Sequence, residues 1–260
     1  MTANARRILI PTIFAVVAFS LGVWLLVSLS TESSSNAQPV STGTPATFSQ
    51  TPSTSLTQRP SFSGSTPIIT RIPSEQWREI VETGTWRPGC PVGRKQLRLL
   101  EIGYFDFNGT ERRGQLVAHR DSIDDLAEIF TQLYKDKFPI AKMEPVEKYG
   151  GDVVRSLTAN NTSAFNCRKP GQINAPVRES PHANGRAIDI NPVQNPWRDP
   201  RCDCWMPAAQ YAKDKQGPGV IRKGSPVIRL FKERGWVWQN IKVPDYMHFD
   251  TGYPSRPRSR

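Results

Sequence analysis

The chain has 260 residues and a formal charge of +11, with 37% hydrophobic, 22% charged and 9% aromatic residues. That balance describes a globular domain with a real core plus an appendage, and it excludes a coiled coil, a collagen-like rod and a multi-span membrane protein. Four cysteines in a chain this long can only be local staples, and three histidines leave few candidates for imidazole chemistry.

Arg6 and Arg7 precede an uncharged, apolar run from Ile8 to Ser30. A run of roughly 20 apolar residues matches one bilayer-spanning helix, whereas a cleavable signal peptide has a core of about 7–15. Residues 1–30 therefore read as a cytoplasmic tip and a signal-anchor through residues 8–30, with a cleaved signal peptide as the alternative. The two arginines would stay inside and the remainder would lie outside the cytoplasm. Residues 31–70 are dominated by Ser, Thr and Pro, with only Glu32 and Arg59 charged. Such a stretch has too little to bury to offset its ordering entropy and reads as a disordered linker. A single folded domain is expected over residues 71–260. Its basic residues look scattered along the sequence, and an exterior location favours anionic cell-wall polymers or lipid headgroups over nucleic acid as the anionic neighbour.

Within the domain, residues 73–83 read as a short helix capped by Ser74, with Trp77, Ile80 and Val81 on one face. Residues 96–107 look like a strand, Asn108-Gly109 like a hairpin turn, and residues 114–119 like the returning strand. The clearest helix covers residues 121–138, with Ile123, Leu126, Ile129, Phe130, Leu133 and Tyr134 at helical spacing. Short strands are expected at 138–143, 163–167, 186–191 and 246–250, and a helix from Pro226 to Arg234 that stops at Gly235. The order predicts an α+β fold, a small single domain with a central, mostly antiparallel sheet and helices packed on it.

Chemistry concentrates in two stretches. In Ser180-Pro181-His182-Ala183-Asn184-Gly185-Arg186-Ala187-Ile188-Asp189-Ile190, a strand through 187–190 sends Ile188 and Ile190 to the core and Asp189 to the other face. Gly185 lets the chain turn so that His182 comes back beside Asp189. An imidazole and a carboxylate converging on one cavity suit a zinc ion. The second stretch is Gly235-Trp236-Val237-Trp238, followed by Asp245-Tyr246-Met247-His248-Phe249-Asp250. On a strand through 246–250, His248 and Tyr246 share a face, while Met247 and Phe249 point to the core. His248 would complete a two-His, one-carboxylate metal site. Asp245, just before the strand, is placed to act as general base.

These stretches resemble the zinc D-alanyl-D-alanine carboxypeptidase and L-alanyl-D-glutamate endopeptidase family of peptidoglycan peptidases. The signature Ser-x-His-x-x-Gly-x-Ala-x-Asp-Ile is met from Ser180 to Ile190, and Gly-Trp-x-Trp with Asp-x-x-His-Phe is met at 235–238 and 245–249. The resemblance implies zinc held by His182, Asp189 and His248, with Asp245 as catalytic base. It also implies a small α+β fold with the zinc site on the sheet, and peptidoglycan stem peptides as substrate. An aspartate at the base position is more like the endopeptidase branch. Many members carry a Ser-Gly-Tyr-Arg strand whose arginine polarises the scissile carbonyl or holds a substrate carboxylate. The comparable segment here is Thr162-Ser163-Ala164-Phe165-Asn166-Cys167-Arg168, which assigns that role to Arg168, with Arg155 or Asn166 as alternatives. Ser180 and Trp238 are the expected substrate-binding residues, and Gln239-Asn240 stands where two glycines are common.

His119 ends a predicted strand and is expected to be structural rather than a third zinc histidine. Cys90 and Cys167 are placed to pair, whereas Cys202 and Cys204 would form an unusually small ring or hold a second metal. The function that follows is a membrane-tethered zinc peptidase acting outside the cytoplasm. Its rival is a non-catalytic, zinc-containing cell-wall-binding or signalling module, which would have no use for a base at Asp245.

Overall fold

The computed structural model describes residues 64–168, 180–213, 216–239 and 241–252. The apolar run at 8–30 and most of the Ser/Thr/Pro stretch lie outside the described residues. Among those described, no helix is long and apolar enough to cross a membrane. The folded unit begins earlier than composition implied. Strand β1 (Ile68–Thr70) pairs antiparallel with β2, Ile68 opposite Glu101, because its β-branched residues suit an open sheet edge.

Helix α1 (Ser74–Glu82) encloses Ile80 and sets Trp77 against Trp86, with ring centroids 5.2 Å apart. Ser74 lies within its first turn and caps nothing; Pro73 occupies the cap position, and Val81 is exposed. Strands β2 (Leu97–Phe105) and β3 (Glu111–His119) pair over nine residues, from Leu97 opposite His119 to Phe105 opposite Glu111. Their loop runs from Asp106 to Thr110, longer than a two-residue Asn-Gly turn, because the Asp106 carboxylate accepts from the Asn108 and Thr110 amides, both at 2.9 Å. Helix α2 (Ile123–Lys135) buries Ile123, Leu126, Ile129, Phe130 and Leu133 against Leu100, Ile102 and Leu116 of that hairpin. This is the core on which the site is built.

The next strands are shorter than the sequence suggests. β4 (Lys142–Met143) pairs in parallel with β5 (Asn161–Thr162), and between them lies α3 (Val153–Thr158), capped by the Asp152 carboxylate. The 163–167 stretch is an irregular strip wedged between two sheets: Ser163 bridges Asp189, and the Phe165 amide donates to Val117 O at 2.9 Å. β6 (Ala187–Asp189) is followed by the β7 (Trp197–Asp199) and β8 (Cys204–Met206) hairpin, then α4 (Gln210–Lys213) and α5 (Pro226–Glu233). β9 (Val237–Trp238) and β10 (His248–Asp250) complete a three-stranded antiparallel sheet of order β6-β10-β9. The fold is α+β and mostly antiparallel, as expected, but its strands form several small sheets instead of one central sheet. Helix α5 packs behind β10, where Phe231 stacks on Phe249 with centroids 4.0 Å apart.

Both disulfide questions resolve within the described residues. Cys90 pairs with Cys167, and Cys202 pairs with Cys204, so no thiolate is left for a second metal there.

One buried acid gives the fold a pH dependence. Glu147, 3% exposed, follows Val146 in a turn beside α1. Burial pushes its carboxyl up to about 7, against the hydrogen bond donated by Gln76. Between the unfolded value of about 4.5 and 7, the folded chain keeps a proton that the unfolded chain has released, so stability falls as pH rises through that window. Glu147→Gln should therefore match the wild type near pH 4 and exceed it at pH 8, on the order of 2–3 kcal/mol in urea unfolding.

Candidate metal centre

The antiparallel register of β6 and β10 sets Asp189 directly opposite His248. His182 arrives from the tight turn before β6, in which the Gly185 amide donates to His182 O at 3.0 Å and the Arg186 amide to Pro181 O at 2.8 Å. Gly185 has φ +67, and a Cβ there would sit 2.7 Å from the His119 backbone nitrogen. Only glycine fits both the left-handed conformation and the close approach to the end of β3. Next to it, Arg186 is clamped by Asp121, which also bonds the His119 imidazole at 2.5 Å. Burial would raise the Asp121 carboxyl, but His119 and Arg186 hold it well below the usual range. His119 thus fastens the turn to β3 and stands outside the metal-capable group, as expected.

Three donor atoms converge. His182 Nε2 lies 3.1 Å from His248 Nδ1 and 3.3 Å from Asp189 Oδ1, and His248 Nδ1 lies 3.2 Å from Asp189 Oδ1. Around a tetrahedral zinc with ligand bonds of about 2.0–2.2 Å, donor atoms stand roughly 3.3 Å apart. The triangle has the size that such an ion requires. All three residues are at most 8% exposed.

Each imidazole is oriented from behind. His182 Nδ1 lies 2.7 Å from Ala164 O, so it carries the proton and leaves Nε2 to face the cluster. His248 Nε2 lies 3.0 Å from Asp250 Oδ2, which turns Nδ1 inward. Such partners fix ring orientation and raise ligand basicity in metal sites. The sequence reading missed Asp250, although its signal was present: two residues after His248 on one strand, it must share His248's face. Asp250→Asn should lower zinc affinity by about 10–100-fold while leaving the three ligands in place, measurable by competition with a chelating dye.

The electrostatics ask for a cation. Burial opposes ionisation of Asp189, yet His182 and His248 hold its carboxyl far below the usual range. Burial also pulls His248 down, but hydrogen bonds to Asp189 and Asp250, with Asp245 nearby, lift it to about 10. The His248 imidazole, facing buried carboxylates, therefore retains positive charge when no metal supplies it.

A cavity of about 180 Å³ opens over this cluster. Asp245 reaches it from a turn, because the His248 amide donates back to Asp245 O at 3.3 Å and β10 begins only at residue 248. That turn corrects the expected alternation. Met247 lines the cavity and packs with Val153, Leu157 and Trp197 instead of entering the main core, and the Tyr246 ring stacks on Trp205 at 5.6 Å. Asp245 is 9% exposed, and its Oδ1 has no hydrogen-bond partner among the described residues. Burial pushes its carboxyl up to about 7; His248 and Arg168 oppose the rise, and Asp189 and Asp250 add to it.

Arg168 lines the same cavity at 7% exposure. Burial draws its guanidinium below the usual range, while Asp189 and Asp245 act to hold the charge. Its backbone is pinned by the Cys90–Cys167 disulfide on one side and by the Arg87 guanidinium, which donates to Arg168 O at 3.1 Å. Of the two alternatives, Arg155 is exposed on α3, and Asn166 is buried with its Oδ1 accepting from the Arg168 amide. Ser180 lines the cavity wall. Trp238 does not: its indole donates to Tyr246 O at 2.9 Å, and its ring lies against the core. The aromatic wall is Trp197 instead, whose strand bridges Asp245. Gln239 adopts φ +53, the conformation that favours glycine, and its Oε1 accepts from the Asp245 amide at 3.3 Å. Asn240 lies outside the described residues.

Asp189 and His248 on facing strands, His182 from the turn before them, and a further acid and an arginine in the same cavity are the set of groups that a mononuclear metallohydrolase site uses. Residues 174–251 match the family model described as D-alanyl-D-alanine carboxypeptidase. This match spans both motif stretches and supports the zinc D-alanyl-D-alanine carboxypeptidase family, and with it a peptidase of the peptidoglycan-acting kind. No curated protein and no solved structure matches the chain.

Proposed function

We propose that this protein is an extracytoplasmic zinc peptidase that hydrolyses the peptide stems of bacterial peptidoglycan. In this reading it is tethered to the membrane through residues 8–30 and the 31–70 linker. His182 Nε2, Asp189 Oδ1 and His248 Nδ1 would hold the ion. When bound there, zinc supplies Lewis acidity and lowers the pKa of water. The observation that carries the reading is Asp245: a buried carboxylate with a free oxygen, facing the same cavity as the triad without belonging to it. A binding module has no use for such a group.

Asp245 takes the proton of the attacking water on its free oxygen and returns it to the departing amine nitrogen. Arg168 offers a fixed guanidinium to the carbonyl oxygen as negative charge builds on it. Its burial strengthens that interaction and means that little reorganisation is needed. Val153, Leu157 and Met247 give the cavity apolar walls, which suit the methyl groups of alanine residues in a stem peptide. Mass spectrometry of purified muropeptides after incubation with the full-length protein tests this. Loss of a terminal D-alanine would mark a carboxypeptidase, and a stem split after its first residue would mark an L-alanyl-D-glutamate endopeptidase. Unaltered muropeptides would refute the proposal.

A further inference from the structure

The basic residues that look scattered in the sequence are gathered by the fold. Arg71 follows β1, Arg94 and Lys95 lie in the turn before β2, Arg98 is in β2, and Arg120 follows β3. The pairing of Leu97 with His119 brings the last three of these elements to one end of the hairpin, and the Arg120 amide donates to Gln96 O at 2.8 Å. Together with buried Ile72, these five cations line a recess of about 540 Å³ that has no carboxylate in its wall. None of the five forms an ion pair among the described residues. Arg94 donates to Ile72 O and Ser74 Oγ, and Arg98 donates to the carbonyls of Lys95 and Leu97. Those bonds fix the two guanidinium groups without neutralising them. Arg98 and Arg120 also border a second recess with Arg186, Asp121 and Asp124, where Asp121 is already engaged by Arg186 and His119.

We propose that this recess is a second binding site, distinct from the metal centre, for a linear polyanion of repeating phosphates. Fixed guanidinium forks match phosphate oxygens, and a concave row of cations suits a chain passing through it. No aromatic side chain lines the recess, so nucleic-acid bases would find nothing to stack on. Its only apolar residue, Ile72, is 1% exposed and has nothing to insert into a bilayer. A base-free phosphate polymer is the partner that remains. The site would hold the domain against such a polymer while the metal centre works elsewhere, and it stands whether or not the peptidase reading does.

The test uses full-length protein in detergent with long-chain inorganic polyphosphate as probe, followed by calorimetry over a range of salt. Lys95→Gln/Arg120→Gln changes two exposed side chains and should keep the melting temperature. It should weaken polyphosphate binding at least tenfold and reduce the log–log salt slope by about two. Arg112→Gln/Arg113→Gln, at the far end of the hairpin, removes the same charge and should change affinity less than threefold. Muropeptide cleavage should be equal in all three proteins. Three results would overturn the site: no polyphosphate binding by the wild type, equal losses in both double variants, or tighter binding to a single-stranded oligonucleotide or to phosphatidylglycerol vesicles, lost in Lys95→Gln/Arg120→Gln.

Discussion

Alanine in place of His182, Asp189 or His248 should each remove most of the zinc from the purified protein and reduce muropeptide cleavage to background. The three donor atoms stand 3.1–3.3 Å apart, so each forms one edge-sharing corner of the same small triangle. Two remaining donors cannot complete the set that a catalytic zinc site requires, three protein ligands with one open position. The variants should differ in what else they lose. His248→Ala strips the imidazole that faces Asp189, Asp245 and Asp250 and leaves buried carboxylates uncompensated, a change that ordinarily costs several kcal/mol. His182→Ala frees the Ala164 carbonyl and takes one imidazole from Asp189, but His248 still faces that carboxylate, so it should be milder in stability though equal in zinc loss. Elemental analysis after gel filtration, paired with thermal melts, reads both effects. Full zinc occupancy in any one variant would remove that residue from the ligand set.

Asp245→Asn should separate catalysis from metal binding. The amide keeps the size of the carboxylate and can still hydrogen-bond water, but it cannot accept a proton. Zinc content should stay at the wild-type level, while turnover falls by about 10²–10⁴-fold, the usual contribution of general acid–base catalysis. Melting temperature should hold or rise, because Asp245 is buried with one oxygen unsatisfied and its charged form is disfavoured there. Asp189→Asn, by contrast, should lose zinc and rate together. Wild-type turnover in Asp245→Asn would end the assignment of Asp245 as base.

The grouping of His182, Asp189 and His248 was legible in the sequence because it depends on local geometry. Strand alternation places Asp189 away from Ile188 and Ile190, and a left-handed glycine turns His182 back toward it. The same period of two would have exposed Asp250 behind His248. It failed just upstream, where residues 245–247 form a turn and Met247 joins the cavity wall. Tryptophan identity alone could not decide which indole meets the cavity: Trp238 is drawn to the Tyr246 carbonyl, and Trp197 arrives on a hairpin far away in sequence. The division into several sheets and the cationic recess were illegible for a related reason. Both depend on which segments lie side by side in space, and no local pattern around Arg71, Lys95 or Arg120 carries that information.

The most direct test of the central claim is a zinc titration of metal-free, full-length protein with muropeptide cleavage as the readout. Activity should be absent without the ion, rise in proportion to added zinc and level off at about one equivalent per chain. The same titration in His248→Ala should stay flat. Cleavage that proceeds without metal, or a wild-type protein that takes up one zinc and cleaves nothing, would contradict the account.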